Sequence, residues 1–204
     1  EKIRLNHYTV FEPLGIPKSK INEILSILDG YIALREKLSP DHYRALLIGS
    51  GEELFSRLDA FYLKEIRGLN AKYIDPRDIG HVLEGHPLDG KITESTYANL
   101  KKLKSYKEII VYPGFFGMDK NNQPMVYSRG GTDKTAADIS AAVGADIYEN
   151  WKDVDGIYSA DPRIVKNARK IEKISYEEMF ELASLGAQVL QPRSIEFAMK
   201  FGVP

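Results

Sequence analysis

The chain has 204 residues, no cysteine, and 28 lysines and arginines against 29 aspartates and glutamates, a formal net charge of -1. That length suits one large domain, or one domain with a small appendage, and suffices to bury a core. The charge balance gives no global case for nucleic acid or an anionic membrane, the missing cysteines exclude disulfides, thiolate metal sites and thiol catalysis, and no run approaches the ~20 apolar residues of a membrane span. These features fit a cytoplasmic protein. Glu1-Lys-Ile-Arg-Leu5 has neither an initiator Met nor a signal-peptide pattern, and the chain stops at Phe201-Gly-Val-Pro204 where another strand is expected. Both ends read as cuts.

In chain order, Ile16-Pro17 opens a helical stretch with Ile21, Ile24, Leu25, Leu28, Tyr31 and Ile32 at helical spacing. Ser39-Pro40-Asp41 starts a second helix, with serine as N-cap and proline at the first helical position. This helix can run to Gly68, although Gly49 and Gly51 weaken it. Ala71–Asp75 is a short strand ending at Pro76, and Thr93 caps a helix through Leu103. Ile109–Tyr112 reads as a buried strand stopped by Pro113-Gly114. Asp119–Pro124 has hairpin-loop chemistry, with Met125–Tyr127 as the returning strand. Thr132–Val143 is a small-residue helix ending at Gly144, and Asp146–Tyr148 is the next strand. Ser175-x-x-Glu178 is a capping box for a helix to Leu185, with Gly186 at its end, and Pro192 precedes a last helix. Helices dominate early and strand–helix alternation follows, which predicts an α/β fold with a mainly parallel sheet and a helical N-terminal subdomain over about 1–68, the α/β part taking 69–204.

Three segments carry candidate chemistry. In Ser128-Arg-Gly-Gly-Thr-Asp133 a strand ends, two glycines follow, and a helix begins. Glycine lets a polyanion approach the backbone, and the helix start offers unpaired N–H groups and a positive dipole end. Arg129 suits a bidentate contact to phosphate or carboxylate, and Asp133 suits a substrate amine or the orientation of a lysine. A tight turn with an ordinary N-cap has the same spacing. Asn150–Arg163 clusters Lys152, Asp153, Asp155, Tyr158, Asp161 and Arg163 in what must be mostly loop after a strand, a usual ligand position in open α/β sheets. Consecutive Asp-Gly and Asp-Pro turns explain it equally well. Gly49-Ser-Gly-Glu52-Glu53 sets two glycines beside an acid inside a helix, at roughly 1 kcal/mol each against alanine. This suggests close ligand approach with Glu52 on an amine, or else a solvated acidic pair. The four histidines lack ligand spacing and read as loop or surface residues. No phosphate loop ending in Gly-Lys-Ser/Thr and no Gly-x-Ser-x-Gly elbow is present.

Together, Gly114-Phe-Phe-Gly117, Ser128–Asp133, Lys152-Asp-Val-Asp-Gly-Ile-Tyr158, Ala160-Asp-Pro-Arg163, Ile174–Met179 and Leu182–Ala187 resemble, in order, the aspartate kinases of the amino-acid kinase superfamily. The match is continuous from about Ile109 to Pro204 and looser before it, where Gly49-Ser-Gly-Glu52 is similar to the family's Ser-aromatic-Gly-Glu. The resemblance implies a three-layer αβα sandwich, and phosphorylation of the β-carboxylate of L-aspartate by MgATP, the first step towards lysine, threonine and methionine. It implies that Glu52 and Arg129 hold aspartate by its amine and carboxylate, with Gly130, Gly131 and Thr132 beside them. Asp133 then organises the reacting groups, and Lys152, Asp153, Tyr158, Arg163 and Gln188 line the ATP pocket. No protein metal site is implied, Mg²⁺ being held mainly through ATP phosphates, and a homo-oligomer is. The chain departs from the pattern in lacking the N-terminal Lys-Phe-Gly-Gly strand, whose lysine contacts the transferred phosphate, and the C-terminal ACT domains. Gln188 and Gln191 stand where many members have lysine and histidine, and Ser128 and Thr132 replace a frequent glycine and serine. The 204 residues alone are therefore expected to have little kinase activity. A non-catalytic module of the same fold, or another amino-acid kinase, is the alternative.

Overall fold

The structure is a computed structural model that describes residues 2–128, 130–151, 156–161, 163–186, 195–196, 199 and 202. It contains two compact units, Glu1–Thr135 and Ala136–Pro204.

The first unit begins with three helices, α1 (Lys2–Phe11), α2 (Lys18–Ile32) and α3 (Pro40–Phe61). The spacing of Ile21, Ile24, Leu25 and Leu28 puts all four on one buried face of α2. They meet Phe11 of α1 and Leu54 and Leu58 of α3 in a single apolar cluster. The sequence does not announce α1, because only His7 and Phe11 are buried and no apolar stripe repeats along it. Helix α3 starts as expected, with the Ser39 hydroxyl accepting the His42 N–H at 3.3 Å. It passes through both glycines, widens into a π-helical stretch at Tyr62–Ile66, and is followed by Gly68 at φ 66°.

The two helical glycines have different reasons. A Cβ on Gly49 would lie 3.0 Å from the Phe116 Cβ and 3.5 Å from Val126, so this glycine lets α3 press against the strands. That is a packing contact, not the ligand approach expected of it. Gly51 has open space where a side chain would go.

Strands β1 (Ala71–Tyr73) and β4 (Ile109–Val111) pair in parallel, Ala71 opposite Ile109. Between them come α4 (Pro76–Ile79), the hairpin β2 (Leu83–His86) and β3 (Asp89–Ile92), and α5 (Glu94–Leu100), capped by Thr93. The hairpin β5 (Phe116–Met118) and β6 (Pro124–Val126) follows. Both hairpins are antiparallel, and single parallel bridges, Val82 to Met118 and Gly90 to Tyr127, link them. The α/β character holds. Among the described residues the parallel pairing is confined to β1–β4 and the two bridges. The expectation of a buried Ile109–Tyr112 strand needs correction: Ile109 is 50% exposed, because β4 has a neighbour only on its β1 side among the described residues.

Helix α6 (Gly131–Val143) runs across the boundary in sequence and ends at Gly144, at φ 61°. In the second unit, Asp146–Tyr148 forms no strand, and Ile147 is left exposed. Strands β7 (Ile157–Tyr158) and β8 (Lys170–Ile171) pair antiparallel, and α7 (Tyr176–Ser184) carries both halves of the expected capping box. Met179 and Ala183 of α7 form a small core with Ile195, against which Ile157 packs. The helix expected after Pro192 falls mostly outside the described residues. No described helix is long and apolar enough to cross a membrane.

Gly49→Ala and Gly51→Ala are expected to change stability in opposite directions. Alanine favours the helix by up to about 1 kcal/mol, which Gly51→Ala gains in full. At Gly49 the crowding against Phe116 outweighs that gain, for a net loss of about 1 kcal/mol. Urea unfolding of the two variants measures both signs.

Candidate active site

One side of α3 and the start of α6 face each other across a cleft of about 950 Å³ within the first unit. Arg44, Ile48, Gly51, Glu52, Phe55, Ser56 and Asp59 line it from α3, recurring at each turn so as to define one helix face. Tyr127, Ser128, Gly130, Gly131 and Thr132 line it from the other side, with Phe115 between.

The glycine pair is required by geometry. Gly130 sits at φ 81°, a left-handed conformation costly for other residues. At Gly131 a Cβ would lie 2.4 Å from the Tyr127 Cβ and 2.9 Å from the Phe115 ring. The turn therefore lies directly on two aromatic side chains. The Gly130 carbonyl accepts the Lys134 N–H at 3.1 Å, closing the first turn of α6. The first residues of that 13-residue helix, Gly131 and Thr132, line the cleft, so its positive dipole end lies at the cleft wall.

Gly114-Phe-Phe-Gly117 serves this arrangement residue by residue. A Cβ on Gly114 would meet Thr132 at 3.0 Å, so Gly114 admits the α6 terminus. Phe115 is held at φ 74°, a strained conformation for a bulky residue, in a tight turn closed by the Phe116 N–H on the Gly114 carbonyl at 3.0 Å. Its N–H donates to the Thr135 hydroxyl at 3.1 Å, and its carbonyl accepts the Tyr127 N–H at 2.9 Å. Phe116 packs on Gly49, and Gly117 lies against His81, whose carbonyl a Cβ would meet at 2.6 Å.

Glu52 and Glu53, adjacent in sequence, do different things. The Thr132 hydroxyl donates to Glu52 at 3.3 Å, a contact between residues 80 apart. Burial raises the Glu52 pKa, and that hydrogen bond only partly opposes it. Glu53 is 1% exposed and sits in a charge network on another side of α3. Arg57 donates to it at 2.8 and 3.1 Å, Arg77 at 3.0 and 3.1 Å, and the Tyr31 hydroxyl at 2.6 Å. Both guanidinium groups also reach Asp75, at 2.9 and 2.8 Å. Burial alone would push Glu53 up; Arg77 above all, with Tyr31 and Arg57, outweighs it and holds the carboxyl below its ordinary range. The solvated acidic pair is thus not what forms.

The other expected site residues are placed as follows. Thr132 is at the cleft; Asp133, half-buried in the first turn of α6, is not among the residues lining it. Arg129, Lys152, Asp153 and Gln188 lie outside the described residues. In the second unit, Tyr158 is half-buried in β7. Arg163 is exposed and grips Asp161, its Nη2 at 2.8 Å and its Nε at 3.1 and 3.2 Å from the carboxylate. Such an exposed pair is weak enough to exchange for another anion. Among the described residues no group of three His, Asp or Glu side chains is placed to hold a metal.

Sequence reasoning missed Arg44, Phe55 and Asp59, although their helical spacing from Glu52 was there to be read. It also misjudged two histidines. His7 is 2% and His81 1% exposed, the first packed against the Phe55 and Phe11 rings, the second between Tyr112 and Tyr127.

The chain belongs to the amino acid kinase family, whose model matches residues 25–204. Among curated proteins it is similar to aspartokinase 3 of Bacillus subtilis, 32% identical over 183 residues, which covers 90% of this chain and 39% of that one. It is 36% identical over 160 residues to the aspartokinase of Corynebacterium efficiens, covering 78% and 38%. Among solved structures, Escherichia coli aspartokinase III in complex with aspartate and ADP, in the R-state, superposes with a TM-score of 0.84 at 28% identity, over 98% of this chain and 46% of that one. The chain thus spans about two-fifths of the length of the curated relatives it matches.

The depressed Glu53 carboxyl adds stability above its unfolded pKa of about 4.3 and loses it as pH falls through the lower folded value. Glu53→Gln, which leaves two guanidinium groups short of a counter-charge, is expected to lower stability by about 3 kcal/mol at pH 7. Its deficit against the native chain narrows below pH 4. Thermal or urea unfolding at pH 7, 5 and 3 measures the convergence.

Proposed function

We propose that the polypeptide carrying this chain is an aspartate kinase, which transfers the γ-phosphoryl group of ATP to the β-carboxylate of L-aspartate and releases ADP and 4-phospho-L-aspartate. The observation that carries the reading is the Glu52–Thr132 contact, which joins an under-neutralised carboxylate to the positive end of a helix in one cleft. A ligand with both an ammonium and an anionic group matches those walls. Family membership supports the reaction class. The named relatives, and the aspartate and ADP bound by Escherichia coli aspartokinase III, support the substrates.

In this reading Glu52 takes the α-ammonium and Arg129 the α-carboxylate. The Gly130-Gly131-Thr132 backbone and the α6 dipole meet charge developing on the transferred phosphoryl group, and Asp133 orients the cations there. The attacking carboxylate is already ionised at neutral pH, so an oxygen lone pair forms the new P–O bond while the ADP oxygen leaves with the old bonding pair, and no strong general base is needed. To the second unit we assign nucleotide recognition. Tyr158 offers a ring face, Lys152 and Arg163 offer cations, and Asp153 and Gln188 complete the set. Mg²⁺, carried by the nucleotide phosphates, would supply further neutralisation. We place the protein in the cytoplasm as a homo-oligomer, at the first step towards lysine, threonine and methionine.

The test is hydroxamate detection of aspartyl phosphate formed by the intact polypeptide with MgATP. Glu52→Gln is expected to raise the aspartate KM while leaving ATP affinity nearly unchanged; a selective loss of ATP binding reverses the assignment. Arg129→Ala is expected to cost about 2 kcal/mol or more in kcat/KM for aspartate. Turnover of glutamate in place of aspartate would move the protein to another branch of the family.

A further inference from the structure

His81, 1% exposed, is a titratable group of the first unit that the proposed reaction does not use. Its backbone is fixed on both sides: its N–H donates to the Pro76 carbonyl at 2.9 Å, and its carbonyl accepts the Met118 N–H at 2.9 Å. Its ring spans two phenols, Nδ1 at 2.8 Å from the Tyr112 hydroxyl and Nε2 at 2.7 Å from the Tyr127 hydroxyl. A neutral imidazole has one N–H and one lone pair. One phenol therefore donates to the ring while the other accepts from it, and both nitrogens are satisfied without a charge. Burial, and then the ammonium of Lys134, lowers the His81 pKa to about 4, so the neutral form holds across the physiological range.

What Tyr127 touches gives this cluster a role. Its Cβ lies where any side chain on Gly131 would have to go. Its N–H is bound to the strained Phe115. The Lys134 ammonium stands 4.9 Å from the centre of its ring. The glycine turn, the Phe115 turn and a cation of the first turn of α6 all rest on Tyr127, through its Cβ, its N–H and its ring respectively, and His81 holds the far end of that ring.

We propose that His81 is a positioning residue for phosphoryl transfer, holding Tyr127 as the platform that sets the place of the Gly130-Gly131 turn and of the Lys134 ammonium. This rests on the kinase reading for its consequence but not for its geometry. Misplacement of a catalytic turn far from the substituted atom is known to cost up to about 100-fold in rate. Glu52, on the opposite wall, meets the turn only through the Thr132 hydroxyl among the described residues.

The experiment compares His81→Phe, His81→Gln and Tyr127→Phe in the intact polypeptide, with two readouts. Hydrogen exchange at the amides of residues 130–135 reports the turn directly. His81→Phe and Tyr127→Phe are expected to speed exchange there by about 10-fold, and His81→Gln, whose amide keeps one donor and one acceptor, to restore most of it. In steady-state kinetics the first two variants are expected to lower kcat on the order of 10-fold, more than they raise the aspartate KM, which the neighbouring Arg129 and Thr132 also govern, with recovery in His81→Gln. Should His81→Phe fail to fold, Tyr127→Phe removes a single oxygen and decides alone. Unchanged exchange at 130–135 in folded variants overturns the proposal, as does a loss confined to KM. If the native polypeptide forms no aspartyl phosphate, the kinase reading fails, while the exchange result still judges the His81 platform.

Discussion

Glu53 stays ionised at a position that water barely reaches, and the first unit is arranged around that demand. An unpaired carboxylate buried to this degree would cost several kcal/mol. Arg57, from one turn further along α3, and Arg77, from α4, both face it, and each also reaches Asp75 at the α4 N-cap. Arg57 lies over the Tyr73 ring and Arg77 over Phe116, so β1 and β5 supply aromatic faces to the same two cations. Helix α3 is thereby locked in rotation against α2, α4 and the strands. A turn of that helix by one residue, about 100°, would carry Glu53 out of its cage and Glu52 away from the cleft.

The contrast between neighbouring carboxylates separates the structural role of Glu53 from the binding role proposed for Glu52. Among the described residues Glu53 has three donor side chains and a lowered pKa, while Glu52 has one long hydrogen bond, partial burial and a raised pKa. A group left short of partners in a cleft holds interaction energy in reserve for a ligand. Buried ion pairs are weak indicators of stability, since desolvation offsets much of their attraction. The Glu53 network is better read as specifying one orientation of α3, which a cleft lined by seven residues of that helix requires.

Local signals in the sequence came through where local chemistry decides the outcome. Ser39, Thr93 and Ser175 are caps because a side-chain oxygen one residue before a helix has unpaired N–H groups to receive. The α2 stripe and the Gly130-Gly131 turn were legible for similar reasons. What was not legible depends on partners far away in sequence. Nothing next to His81 indicates that Tyr112 and Tyr127 enclose it, and an Asp-Ile-Tyr triplet reads as a strand whether or not a neighbour arrives to pair with it. Of the residues that line the cleft, Glu52 and the glycine turn stood out in the sequence before they could be placed together. Glu53 was mistaken for surface because two arginines, 4 and 24 residues away, neutralise it.

The glycines extend this argument from stability to the site. Gly49, Gly114, Gly117 and Gly131 each mark a contact in which backbone and side chain meet more closely than a Cβ allows. Taken in order, the contacts are α3 on Phe116, Thr132 on Gly114, His81 on Gly117, and Tyr127 under the Gly130-Gly131 turn. Phe115 lies amid them at positive φ, a conformation that costs of order 1–3 kcal/mol unless its surroundings compel it. Those surroundings are the Thr135 hydroxyl and the Tyr127 N–H, which both belong to the segment that forms the turn. Strain at Phe115 and order in the turn are therefore coupled. Relaxing one removes hydrogen bonds from the other, and the coupling keeps the α6 terminus in place before any ligand arrives.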